Sequence, residues 1–142
     1  MKKEYKNILV AVDGSEQAYN AVSEAVEITK RNKAKLQVLT VKETSRYYNA
    51  FDMSVIETAS MDKMAIDILK RVSEIVDEQV ECEEINLYDN NAKRQIVQYA
   101  KENKIDLIVI GSTGTGVIDK FFVGSTTQYV VNHAPCNVMV VK

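Results

Sequence analysis

Two short runs, Ile8 to Val12 and Leu107 to Ile110, are apolar without a break, and each stops abruptly at turn-forming residues. A strand wetted on one face alternates apolar with polar residues; a strand covered on both faces does not. These runs therefore predict strands of a parallel sheet packed between helices. The sequence between them supports this. Ser15 is placed to cap a helix whose apolar residues Ala18, Ala21, Val22, Ala25, Val26 and Ile28 recur at three-and-four spacing through about Lys30. Ala34 to Val41 reads as strand two. Glu43 to Asp52 is polar and irregular, with Tyr47, Tyr48 and Phe51 in it, and reads as a loop. A long helix follows, with Ile56, Met64, Ile68, Leu69, Val72, Ile75 and Val76 expected to face inward. Val80 to Leu87 alternates weakly and is expected to be an edge strand. Asp89-Asn90-Asn91 makes a turn, Ala92 to Glu102 a helix, Ser125 to about Asn132 another, and Val138 to Val141 the last strand. The expected fold is an α/β, doubly wound, five-stranded parallel sheet of order 3-2-1-4-5, with helices on both faces and residues 1–142 forming one domain.

That strand order puts strands one and four side by side, with the chain leaving them toward opposite faces. Ligands of such sheets bind at the carboxyl ends there. Asp13 and Gly111, picked out separately, both fall at that position. The segment from Asp106 to Thr127 holds four of the five glycines, the fifth being Gly14. Small residues after a strand let backbone N–H groups approach a ligand. Ser125, Thr126 and Thr127 add hydroxyls where a helix N-terminus leaves N–H groups unpaired. The combination suits a phosphate. It is not a Walker loop, because Val117 stands where the lysine would follow Gly116. It is not a dinucleotide fingerprint either, because Asp119 stands where the third glycine belongs.

What remains is Gly111, two residues, Gly114, nine residues, then Gly124-Ser125. This spacing resembles the ATP-binding signature of the universal stress protein family. The opening Ile8 to Ser15 and the closing His133-Ala134-Pro135-Cys136 with Val138 to Val141 resemble the same family, so the likeness spans essentially the whole chain. The resemblance implies that Asp13 lies against the ribose and adenine and that the backbone of Val41 meets the adenine edge. It implies that Gly111, Thr113, Gly114, Gly124, Ser125 and Thr126 form the ribose- and phosphate-binding stretch, and the strand-end residues Ala11 and Ile110 complete the candidate site. The ligand expected is ATP, or AMP or ADP, with Mg²⁺ held through the phosphates, and the role a nucleotide-dependent switch or sensor in stress response. Two positions depart from the family pattern. Asn137 replaces the usual proline before the last strand, and Asn90-Asn91-Ala92 replaces Gly-x-Pro before the third helix; asparagine tolerates positive φ better than most residues.

Other readings stay open beside this one. The glycines could serve packing alone, and Asp13 could merely brace its turn. The chain could be a slow ATPase or an autophosphorylating enzyme, with Lys120 the nearest cation, although no P-loop lysine or evident base accompanies the hydroxyls. A receiver domain needs an acidic cluster that Asp13 alone does not supply. His133 is expected to cap or pack at a helix end, and Cys82 and Cys136 to be passive reduced thiols. Tyr47, Tyr48 and Phe51 could form a lid or only pack their loop. A net charge of −2 speaks against nucleic acid as a main partner, and no apolar run is long enough for a membrane span. The N-terminus reads as a first strand and not a signal peptide, so a cytoplasmic protein is expected. The last strand would be an edge, yet it is apolar on both sides. Such an edge is usually covered, which predicts a homodimer through Val138 to Val141, as the resemblance also implies.

Overall fold

The computed structural model describes residues 4–43, 55–114 and 122–142. The elements are β1 (Asn7–Ala11), α1 (Glu16–Asn32), β2 (Lys35–Glu43), α2 (Val55–Val76), β3 (Cys82–Asp89), α3 (Ala92–Glu102), β4 (Leu107–Gly111), α4 (Ser125–His133) and β5 (Asn137–Val141). The five strands form one sheet in the order β3-β2-β1-β4-β5, every neighbouring pair parallel. This is the topology expected from the sequence.

The unbroken apolar runs are explained by two cores, one on each face. Ile8, Val10 and Val12 project to the side covered by α1 and α2, where Val22, Val26 and Val72 are fully or almost fully buried. Leu9 and Ala11 project to the other side, against Ile96 and Val97 of α3 and Val130 of α4. β3 is an edge strand whose residues alternate between the two cores. Cys82 packs with the first core and Ile85 and Leu87 with the second, while Glu83, Glu84 and Asn86 stay exposed.

Several expectations need correction. Met64 was expected to face inward, but it is 58% exposed. The buried stripe of α2 runs through Ala65, Ile68, Val72 and Val76, and Met64 stands about 100° round the helix from Ala65. β2 extends two residues beyond Val41, because β3 continues to pair with it through Lys42↔Tyr88 and Glu43↔Asp89. Neither Asn90 nor Asn91 takes a positive φ. Instead Asn91 caps α3, accepting the Arg94 N–H at 3.3 Å, while Asp89 Oδ1 accepts the Asn91 N–H at 2.9 Å. Asn137 begins β5 and donates from its side chain to the Tyr5 hydroxyl at 3.1 Å. Tyr47, Tyr48, Phe51 and Lys120 lie outside the described residues, as does the side chain of Ile56.

Among the described residues no helix is long and apolar enough to cross a membrane. At the outer edge of β5, Met139 and Val140 are 37% and 39% exposed.

Candidate functional site

At the carboxyl ends of β1 and β4 the sheet opens into a cavity of about 330 Å³, at the lower end of the size range of small-ligand sites. Every candidate residue named from the sequence lines it: Ala11, Asp13, Val41, Ile110, Gly111, Thr113, Gly114, Gly124, Ser125 and Thr126. Three elements bring them there.

The first is the β1–α1 turn. Asp13 Oδ1 accepts the Ser15 N–H at 3.0 Å, and Ser15 Oγ accepts the Ala18 N–H at 3.2 Å, so Ser15 is the N-cap of α1. Gly14 between them has φ +91°, a left-handed conformation that disfavours any side chain. The buried Ser15 hydroxyl also donates to the Thr113 carbonyl at 3.4 Å, tying this turn to the segment after β4.

The second is that segment. Ser112 N–H donates to the Val141 carbonyl at 2.7 Å, and Gly124 N–H donates to the Ser112 carbonyl at 2.8 Å. Thr127, in the first turn of α4, donates its hydroxyl to the Gly111 carbonyl at 2.7 Å. The start of α4 is thus held over the end of β4. Gly124 is the N-cap residue and brings no side chain to the N–H groups of that first turn. A helix N-terminus presents N–H groups and the positive end of the helix dipole, which suits an anion.

Two glycines here are enforced by close approach. A Cβ on Gly111 would sit 2.8 Å from the Gln17 carbonyl carbon and 2.9 Å from the Ala18 nitrogen. The missing side chain makes room for α1. A Cβ on Gly114 would meet Asp13 Oδ2 at 2.7 Å, so the carboxylate and the glycine backbone close on each other across the crevice.

The third element is the end of β2. Val12 N–H donates to the Leu39 carbonyl at 2.9 Å, so Leu39 turns its backbone toward β1, whereas Leu36 N–H donates to Glu81 on the β3 side. Backbone direction alternates along a parallel strand. Val41 therefore turns its N–H and C=O the way Leu39 does, but beyond the end of β1, toward the crevice. One donor and one acceptor side by side can match the paired acceptor and donor on the edge of a heterocyclic base.

Sequence reasoning missed the wall built by α2 and its neighbours. Thr40, Lys42, Met64, Ala65 and Ile68 also line the cavity. Lys42 was findable, since it lies beside Val41. Its Nζ is 2.7 Å from Asp62 Oδ1 and 3.0 Å from the Tyr88 hydroxyl, which itself donates to Asp62 at 2.5 Å. Burial alone would lower the Lys42 pKa, but the hydrogen bonds to Asp62 and Tyr88 prevail and raise it. The hydrogen bonds that Asp62 accepts from Lys42 and from the Tyr88 hydroxyl hold its carboxyl below its ordinary value. The cluster straps α2 to the ends of β2 and β3. Thr40 is 4% exposed, and its hydroxyl oxygen has no hydrogen-bond partner among the described residues. Leaving such a group unsatisfied costs about 1–3 kcal/mol.

The remaining polar candidates lie elsewhere. His133 is at the exposed end of α4, its Nδ1 2.9 Å from the Tyr129 carbonyl and its ring stacked on Tyr129 at 4.1 Å. Cys82 and Cys136 are free and half-buried. Burial, with a smaller contribution from Glu84, pushes the Cys82 thiol up to about 11, and burial raises Cys136 as well. Both are protonated at neutral pH and poor nucleophiles. No group of three or more His, Cys, Asp or Glu side chains suited to a metal occurs among the described residues.

Comparison with known proteins bears on this geometry. The model of the Universal stress protein family matches residues 4–142. A protein of Staphylococcus haemolyticus named for that family is 36% identical over 142 residues, covering 97% of this chain and 85% of the relative. The universal stress protein UspA from Lactobacillus plantarum superposes with a TM-score of 0.84 at 37% identity, covering 99% of this chain and all of that one. The universal stress protein from Archaeoglobus fulgidus in complex with dAMP superposes with a TM-score of 0.72 at 23% identity, covering 99% and 100% of the two chains.

Proposed function

The chain belongs to the universal stress protein family, and on that premise we propose that it binds an adenine nucleotide in the crevice between β1 and β4 and acts as a nucleotide-dependent switch in stress response. The observation that carries the reading is the meeting of three unlike surfaces in one cavity: the Val41 backbone edge, the Asp13 carboxylate, and the side-chain-free start of α4 at Gly124. They match a base, a ribose and a phosphate in that order. The dAMP held by the Archaeoglobus fulgidus relative is a ligand of this class.

The residues present fit such a group. Gly114 lets its backbone close on the Asp13 carboxylate at the cavity wall, and a ribose hydroxyl is the sort of donor a carboxylate accepts. Ser125 and Thr126 bring hydroxyls to the α4 N-terminus. With a triphosphate, Mg²⁺ would be held through the phosphates and not by a protein cage, consistent with the ion's habit of keeping several waters. Adenine nucleotides are a cytoplasmic ligand pool, and the reading places the protein there. The exposed apolar edge of β5, with Met139 and Val140 at its surface, supports assembly of two copies edge to edge.

Calorimetry with ATP and with AMP in the presence of Mg²⁺ tests the reading. The unmodified protein is expected to bind with micromolar affinity, and Gly114→Asp to bind at least a hundredfold more weakly. The new side chain clashes with Asp13 and sets like charge against it. A flat titration of the unmodified protein at millimolar nucleotide would overturn it, provided Gly114→Asp and the parent melt cooperatively.

A further inference from the structure

Resting on that reading, we propose that Thr40 is a specificity-determining residue: its buried hydroxyl donates to a ring nitrogen of the bound base. β2 sends Leu36 and Val38 into the core beneath α1 and α2, both essentially unexposed. Thr40 is next on that face of the strand. It is 4% exposed, and its oxygen meets no donor or acceptor among the described residues. Valine has nearly the same shape and would fill the place at no polar cost. The fold therefore gains nothing from this oxygen. Among the described residues it is the one buried side-chain nitrogen or oxygen without a partner, whereas Ser15 caps α1, Thr29 donates to Ala25, and Thr127 donates to Gly111.

The position of Thr40 says what could use it. It lines the cavity one residue before Val41, as do Ala65 and Ile68 of α2. In its present rotamer the oxygen is sealed from the cavity. A staggered turn of about 120° about χ1 brings the hydroxyl to where the methyl group stands and the methyl to where the Cβ hydrogen stands, without moving the backbone. A base whose edge is paired with Val41 lies within reach of this side chain. Its remaining ring nitrogens, N3 and N7 in a purine, are acceptors only, so the hydroxyl serves as donor. A site that satisfies a buried polar group only with the right ligand discriminates against ligands lacking the partner atom.

The test compares Thr40 with Thr40→Val and Thr40→Ser, using AMP, 3-deaza-AMP and 7-deaza-AMP in calorimetry, and thermal unfolding without nucleotide. Thr40→Val is expected to melt higher than the parent when free and to bind AMP about tenfold more weakly. One deaza analogue should lose about tenfold on the parent and nothing further on Thr40→Val. Thr40→Ser should restore most of the affinity. Equal AMP affinity for parent and Thr40→Val overturns the proposal and leaves nucleotide binding standing. A lower melting temperature for free Thr40→Val overturns it too, since the oxygen would then serve the fold. If the parent binds no AMP or ATP at all, the wider reading falls, and this one with it.

Discussion

Two arms of chain meet over the crevice, and they are built by opposite means. The arm leaving β1 is held by its own side chains: Asp13 grips the Ser15 N–H, and Ser15 caps α1. The arm leaving β4 is shaped by missing side chains. Gly111 lets α1 press in, Gly114 lets Asp13 approach, and Gly124 leaves the start of α4 without a capping group. One helix N-terminus in this protein is satisfied from within, by Ser15, and another, that of α3, by Asn91. The start of α4 alone, among the helices whose caps are described, has a cap residue that cannot do so. The comparison teaches that a helix which caps itself is finished as structure, whereas one begun by glycine at a cavity is left for something else to complete.

The largest expected effect strikes the second arm where it serves the fold. Gly111→Ala puts a methyl group 2.8 Å from the Gln17 carbonyl carbon and 2.9 Å from the Ala18 nitrogen. Both are backbone atoms of a well-packed helix and cannot swing aside. The cost is about 2–3 kcal/mol, at the upper range for overpacking, measured as a lower midpoint in urea. A loss below about 0.5 kcal/mol would mean that α1 yields easily and that Gly111 is a ligand-side glycine after all. Next is Ser15→Ala in the first arm, expected to cost about 1 kcal/mol through the lost cap. Because Ser15 also reaches the Thr113 carbonyl, the same substitution should weaken nucleotide binding a few-fold. Unchanged affinity would show that the arms are mechanically independent.

These differences also mark how far the sequence could be read. The apolar runs at β1 and β4, and the Ser15 cap, are local signals whose cause lies within a few residues, and they led directly to the strand order and the switch point. The strand ends, the glycine spacing and the family resemblance together named residues that line one cavity. What could not be read is whatever depends on a distant element. Gly111 packs against Gln17 and Ala18, almost a hundred positions earlier, so the glycine spacing pointed to ligand contact and could not show the packing against α1. Thr40 reads as one more polar residue in a strand until α2 is laid over it. Met64 fits an inward helical stripe on spacing alone, but the stripe is centred on Ala65, whose small side chain gives little periodic signal. Lys42 belongs to the wall because β3 runs on far enough to pair with it.

The smallest change in stability comes from giving the second arm the device of the first. In Gly124→Asp the added Cβ has only ordinary contacts, the nearest being Thr113 Cα at 3.5 Å. The backbone at this position, φ −62° and ψ 155°, suits any residue. The carboxylate can accept N–H groups of the first turn and oppose the helix dipole, for a gain of about 0.5 kcal/mol. The free protein should therefore melt slightly higher. Nucleotide affinity should fall more than tenfold, because the N–H groups are taken by a tethered anion that also repels the phosphate. Stability and affinity moving in opposite directions is what a self-sufficient cap would do at a site meant for a ligand. If Gly124→Asp stabilises the protein and binds ATP as the parent does, α4 does not receive the phosphates. The contrast between the two arms would then be one of packing alone.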